Sequence, residues 1–153
     1  MMTIAIGADH GGFKLKSLLV SRLKAARRRV LDMGTYSDEP CDYPLIGAAV
    51  AAAVSKRRAK MGVLLCRSGG GMGIVANKFP GVRAVVCQTL DSALHAREHN
   101  DSNVLVLGAE GLDRRKALQI LDAWLKTPFA GGRHARRVRQ IIQLEKELHV
   151  RPS

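Results

Sequence analysis

The chain has 153 residues, 46% of them hydrophobic and 25% charged, which is the composition of one globular domain and excludes a disordered or fibrous chain. No apolar run approaches the ~18 residues of a membrane span, and the N-terminus has no basic segment leading into an apolar stretch, so neither a membrane partner nor a secretory signal is expected. The net charge of +12 leaves room for an anionic substrate, a nucleic acid or a membrane surface.

In chain order, Thr3 to Ala8 reads as a strand and Phe13 to Arg28 as a helix. Arg29 to Asp32 is a second strand, and Gly34 to Tyr43 a polar loop. A helix from Pro44 to Ser55 follows, with proline at its first position. Gly62 to Cys66 is the third strand, and a glycine-rich loop carries it into a helix ending at Lys78. Val82 to Cys87 is the fourth strand and Asp91 to Glu98 a helix. Val104 to Leu107 is the fifth strand, and Asp113 to Leu125 a helix. The last helix, 134–148, carries an apolar stripe at Val138, Ile141, Ile142 and Leu148.

Short apolar strands separated by helices define a parallel sheet covered on both faces, a three-layer α/β/α single domain over 1–153 with a Rossmann-like sheet. Ligands of such sheets bind beyond the carboxyl ends of the strands. The loops that matter are therefore 8–12, 34–43, 67–73, 88–91 and 108–112.

The strongest local feature is Cys66-Arg67-Ser68-Gly69-Gly70-Gly71-Met72-Gly73. A thiol ends a buried strand, and glycines expose backbone N–H groups at a helix start, where negative charge is favoured. That field and Arg67 favour a thiolate, so Cys66 is placed as a base whose product is an oxyanion. The alternative is a buried cysteine before a tight turn. The three cysteines, Cys41, Cys66 and Cys87, are odd in number and far apart, which argues against disulfides and for a reducing, cytoplasmic setting. The nucleotide-hydrolase phosphate loop and the cysteine-phosphatase loop are both absent.

Asp9 and His10 end the first strand at the same crevice, where they either bind sugar oxygens or cap the helix. His95 to His99 matches H-x-x-E-H, but without a third ligand it is read as a helix end, and no metal is expected. Arg133 and Arg137 share a helix face and suit bidentate phosphate binding. The basic clusters at 27–29, 56–58 and 114–115 read as solvated helix ends, and no aromatics interleave with them, so no nucleic-acid partner is expected.

Taken in order, these segments resemble the ribose-5-phosphate isomerase B family, which includes galactose-6-phosphate isomerase subunits. The matching stretches include Gly7 to Gly12, Gly34 to Ser37, Asp42 to Pro44, Cys66 with its loop to Lys78, Arg83 to Cys87, His99 to Leu105, Asp122 to Trp124, and Gly131 to Val138. The resemblance implies sheet order 2-1-3-5-4, no cofactor, and a homodimer or tetramer with sites at the subunit interface, where the last helix packs. It implies aldose–ketose isomerisation of a phosphorylated sugar, ribose 5-phosphate first among the candidates, through an enediolate. Cys66 would be the base and Ser68, with Gly69, Gly70 and Gly71, the oxyanion cradle. His99 with Asp9 would open the ring and Asn100 would hold substrate oxygens. His10, Arg133 and Arg137 would face the phosphate, and Tyr43 would line the pocket. Two positions depart from the family pattern: Arg67 replaces a glycine, and Glu110 stands where an arginine is usual. An isomerase of another tetrose, pentose or hexose phosphate is the alternative these departures leave open. A basic nucleic-acid-binding module is the distant one.

Overall fold

The computed structural model describes residues 1–149. Five strands, β1 (Thr3–Ala8), β2 (Arg29–Asp32), β3 (Met61–Cys66), β4 (Ala84–Val86) and β5 (Val104–Gly108), form one sheet in the order β2-β1-β3-β5-β4. Every pairing is parallel, with Ile6 beside Val63, Val63 beside Leu105 and Val85 beside Leu105. The fold expected from the sequence is the fold observed. The continuous apolar strands are buried on both faces because both faces are covered.

Helices α1 (Phe13–Ala25), α4 (Leu90–Asn100) and α5 (Arg114–Lys126) cover one face, over a core that includes Leu19, Ile6, Leu107, Ile120 and Trp124. Helices α2 (Tyr43–Ser55) and α3 (Gly70–Ala76) cover the other, over Val50, Leu64, Met72 and Val106. Helix α6 (Arg133–His149) packs on α4. The one buried indole donates from Trp124 Nε1 to Ser102 Oγ at 2.8 Å, so its polar atom is not stranded in the core.

Two elements are shorter than the sequence pattern predicts. Helix α1 ends at Ala25 rather than Arg28, because Arg27 takes a left-handed conformation (φ 56°) and turns the chain back toward β2. Strand β4 spans Ala84–Val86 rather than Val82 to Cys87. The Arg83 N–H is taken by Asn103 Oδ1 at 2.8 Å before the strand begins. The Asn77 side chain then fills the free edge of β4: its Nδ2 donates to Ala84 O at 2.9 Å, and Ala84 N donates to its Oδ1 at 2.8 Å.

Helix α1 carries a buried lysine. Lys16 is 2% exposed, and its Nζ donates to Asp32 Oδ1 and to Thr35 O, both at 2.6 Å. The ammonium also lies 5.0 Å from the Tyr36 ring centre. The loop after β2 is thereby fixed to α1, across the end of the sheet where the candidate site lies.

Candidate active site

The first group of candidate residues gathers at the carboxyl ends of β1 and β3. Cys66 is 5% exposed and ends β3 beside Gly108 of β5. Its Sγ accepts a hydrogen bond from the Gly69 N–H at 3.1 Å. Gly69 caps α3 with φ +86°, a conformation glycine adopts at no steric cost. Ser68 is exposed, and its Oγ accepts from Gly70 N at 3.3 Å. A Cβ at Gly71 would stand 2.5 Å from the Tyr43 ring, so this phenol lies against the glycine loop. A Cβ at Gly108 would meet Ser68 O at 2.5 Å, so the loop can pass only over a glycine. Gln88 clamps that glycine from β4's side, accepting from Gly108 N at 2.7 Å and donating to Gly108 O at 3.0 Å. The sequence marks Gln88 only by its place at a strand end.

Asp9 and His10 sit in the adjoining loop. Asp9 is buried, and its Oδ1 accepts from Gly12 N at 3.2 Å. Gly12 is itself the N-cap of α1 and receives no side-chain cap on the helix side, so Asp9 secures the turn before the helix rather than capping it as N-cap. His10 Nδ1 accepts from Cys41 N at 3.2 Å, which makes Nε2 the protonated nitrogen of the neutral ring. Arg67 is exposed next to this loop: a Cβ at Gly11 would lie 3.5 Å from Arg67 Cβ. Arg67 O accepts from Glu110 N at 3.0 Å, so the two departures from the family pattern are backbone neighbours.

A second group, His99, Asn100, Arg133, His134 and Arg137, forms where α4 ends and α6 begins. The His99 ring is stacked between His95 (centroids 4.9 Å apart) and His134 (4.2 Å), with 11° between planes in both pairs. The H-x-x-E-H spacing does put two histidines on one face, but they meet ring to ring. Among the described residues no group of three or more His, Cys, Asp or Glu is placed to hold a metal ion. Partial burial, then the charges of His99, Arg133 and Arg137, lower the pKa of His134 from the usual imidazole range, against an opposing pull from Glu98. His134 is the residue of this group that the sequence does not single out.

The two groups lie at opposite ends of the sheet in one chain. Helix α4 leaves β4 at its carboxyl end and runs back, so His99 and Asn100 finish near the start of β5. The Arg83 guanidinium, just before β4, donates to Asn100 O at 3.1 Å and Asp101 O at 3.0 Å, which marks that end. The five residues of β5 alone separate the two ends by about 13 Å.

The third thiol is distinct from the site. Burial pushes the Cys87 pKa up to about 11, against a hydrogen bond with Ser92, so it stays a protonated core residue.

A parallel α/β sheet whose carboxyl end holds a thiol, a hydroxyl and a glycine-lined cradle of amides defines a fold and a site suited to proton transfer next to an anion. Residues 4–141 match the ribose/galactose isomerase family, and the chain belongs to it. It is 44% identical to ribose-5-phosphate isomerase B of Escherichia coli K12 over 146 residues, 95% of this chain and 98% of that one. A ribose-5-phosphate isomerase B structure from Clostridium thermocellum matches with a TM-score of 0.94 and 46% identity, covering 96% of this chain and 99% of that one. A second, from Mycoplasma genitalium with bound ribulose-5-phosphate, matches with a TM-score of 0.91 and 38% identity, covering 95% and 97%.

Proposed function

We propose that the protein interconverts ribose 5-phosphate and ribulose 5-phosphate, with Cys66 as the base. The observation that carries the reading is the Cys66 Sγ, at the end of β3, accepting from the Gly69 N–H where α3 opens. The thiolate removes the proton from C2 of the open-chain aldose. The electron pair moves into the C1–C2 bond and the C1 carbonyl oxygen becomes the oxyanion of an enediolate. The proton of the C2 hydroxyl passes to that oxygen, and the proton held by Cys66 returns to C1, leaving C2 as the ketone carbonyl. Hydrogen moves as a proton and the electrons stay in the sugar, so the step itself calls for no redox cofactor. Ser68 and the Gly71 amide hold the oxyanion, as preorganised donors do in acyl transfer, while the Gly69 amide steadies the Cys66 sulfur and the Gly70 amide orients Ser68.

The ring must open first, and the phosphate must be anchored. His99 with Asp9 opens the ring, Asn100 and Tyr43 hold the sugar, and His10, Arg133 and Arg137 bind the phosphate. Because these residues fall at two ends of one chain, the working unit in this reading is a homodimer, the Cys66 group of one copy facing the His99 group of the other. Exposed Leu45, Ile74, Val86 and Leu90 near the first group, and Ile141 and Leu144 on α6, supply apolar surface for such a contact. Residues 1–153 act as a single domain, of which 150–153 lie outside the described residues. No described helix is long and apolar enough to cross a membrane, and with three free thiols the setting proposed is the cytoplasm.

A second reading rests on Arg67 and Glu110: with an acid where an arginine is usual, a different tetrose, pentose or hexose phosphate is the substrate. One experiment tests both, a panel of ribose, ribulose, allose, galactose and erythrulose phosphates with product identification. Highest kcat/KM on ribose 5-phosphate supports the first reading, and a preference for another member replaces it with the second.

A further inference from the structure

The end of the sheet away from Cys66 carries a concentration of positive charge that the isomerase reading does not use. Two turns there flank the start of β1. One, between α1 and β2, holds Arg27 and Arg28, with Arg29 opening β2; the other, between α2 and β3, holds Lys56, Arg57, Arg58 and Lys60. The register sets Arg29 opposite Thr3 on one side of β1, and Lys60 N donates to Thr3 O on the other. The two clusters therefore stand about two strand spacings apart, roughly 10 Å, with the Met1 end of β1 between them.

All of these side chains except the half-buried Arg28 are exposed. Among the described residues the ion pairs are those of Lys16, Arg22, Arg83 and Arg97, and none involves these two turns. Arg28 Nε is buried with no hydrogen-bond partner. Beside the second turn lies a cleft of about 830 Å³ lined by Arg57, Arg58, Lys60 and Arg83 against a single acid, Glu145, whose carboxylate is engaged by the Gly81 N–H.

Helix ends do attract cations, but that effect fades within the last turn. It does not account for Arg29 in β2 or Lys60 at the entry to β3. Arg27 (φ 56°) and Arg57 (φ 58°) lie within its reach, but both occupy the same left-handed position just past the ends of α1 and α2. That position favours glycine, and in both turns an arginine holds it instead. The pattern adds charge at the expense of backbone preference, twice, on one face.

We propose that this face binds the phosphate backbone of double-stranded nucleic acid without reading its sequence. In the sequence the same clusters read as solvated helix ends; in the fold they converge on one surface with no ion pair among the described residues. An array of cations without interleaved aromatics matches the dense, regular charge of a duplex better than a single strand, which is held largely by stacking. The face lies outside the residues assigned to isomerisation, so the two activities separate in one protein.

The test uses the full chain and a fluorescent duplex of arbitrary sequence, with anisotropy read from about 50 to 200 mM salt. The variant is Arg27→Gly/Arg57→Gly/Arg58→Gln/Lys60→Gln. Its two glycines suit the left-handed backbone, so loss of charge is not confused with loss of fold. The wild-type protein should bind the duplex with a steep salt dependence. In the variant the log–log slope should flatten by about 3 to 4, because each phosphate neutralised contributes about 0.9. Isomerase kcat/KM should be equal in both. Three results overturn the proposal: no duplex bound at the lowest salt, equal slopes for the two proteins, or retention on vesicles of anionic phospholipid with none on the duplex.

Discussion

The ring of His134, on α6, lies 4.2 Å from that of His99, on α4, and nearly parallel to it. Burial, then the neighbouring charges of His99, Arg133 and Arg137, disfavour the protonated form of His134, against an opposing pull from Glu98. A histidine whose pKa is lowered by folding takes up a proton more readily in the unfolded chain. Stability therefore falls as pH drops through the ordinary histidine range near 6.5 toward the lowered value. His134→Phe keeps a stacked ring that cannot protonate. Denaturant titrations at about pH 7.5 and pH 5.5 should show a smaller loss of stability in His134→Phe than in the wild type. Equal losses would mean that His134 does not titrate in this range.

Removing the thiol at the end of β3 should separate binding from chemistry. Cys66→Ala should lower kcat by about 10²–10⁴-fold, the usual contribution of a general base, while sugar-phosphate affinity and the thermal transition change little. Cys87, with its pKa near 11 and its burial in the core, should resist alkylation of the native protein at pH 8. Turnover close to wild type in pure Cys66→Ala would remove the thiol from the reaction.

Gly108 and Gly81 make a matched pair of glycines. The Cβ of an alanine at Gly108 would press on the backbone Ser68 O from 2.5 Å, whereas Gly81 (φ +77°) has nothing within 4 Å of its Cβ position. Gly108→Ala should destabilise by about 1–3 kcal/mol through overpacking and displace Ser68, lowering kcat as well. Gly81→Ala should cost about 1–2 kcal/mol of backbone strain alone and leave kcat unchanged. The two measurements, denaturant unfolding and steady-state kinetics, distinguish a site glycine from a turn glycine.

Arg67 and Glu110 are joined by a main-chain hydrogen bond, so a charge added at one position acts beside the other. If Arg67 carries anion binding that Glu110 does not supply, Arg67→Gly should weaken substrate affinity by roughly 10- to 150-fold, the equivalent of about 1.5–3 kcal/mol. Glu110→Arg in that background should restore affinity. Unchanged KM in Arg67→Gly would mean that its guanidinium points into solvent.

Much of this architecture is legible in the sequence, for physical reasons. Strand β1 is called correctly to the residue because an apolar run buried on both faces needs no tertiary information to be recognised. The glycine loop after Cys66 is likewise local: strand, turn and helix start are consecutive. The errors fall where a distant partner decides. Arginine is a good helix former, so nothing in 26–28 announces the end of α1; the left-handed turn at Arg27 is set by the need to enter β2 beside Thr3. Lys16 looks like a surface residue of an amphipathic helix, and its acceptors lie 16 and 19 residues away. His134 is hidden between two arginines, and only the packing of α6 on α4 gives it a neighbour.

The side chain of Asn77 occupies the outer rim of β4, satisfying both the N–H and the C=O of Ala84. An open rim is where a second sheet, or a stray strand from an unfolding chain, would add itself and grow a fibre. A one-residue amide mimic of a neighbouring strand, on a strand of only three residues, removes that foothold. Growth by sheet continuation from the β4 side is closed at Ala84. Asn77→Ala would reopen the rim, and its first symptom would be a shortened shelf life at high concentration rather than a slower enzyme.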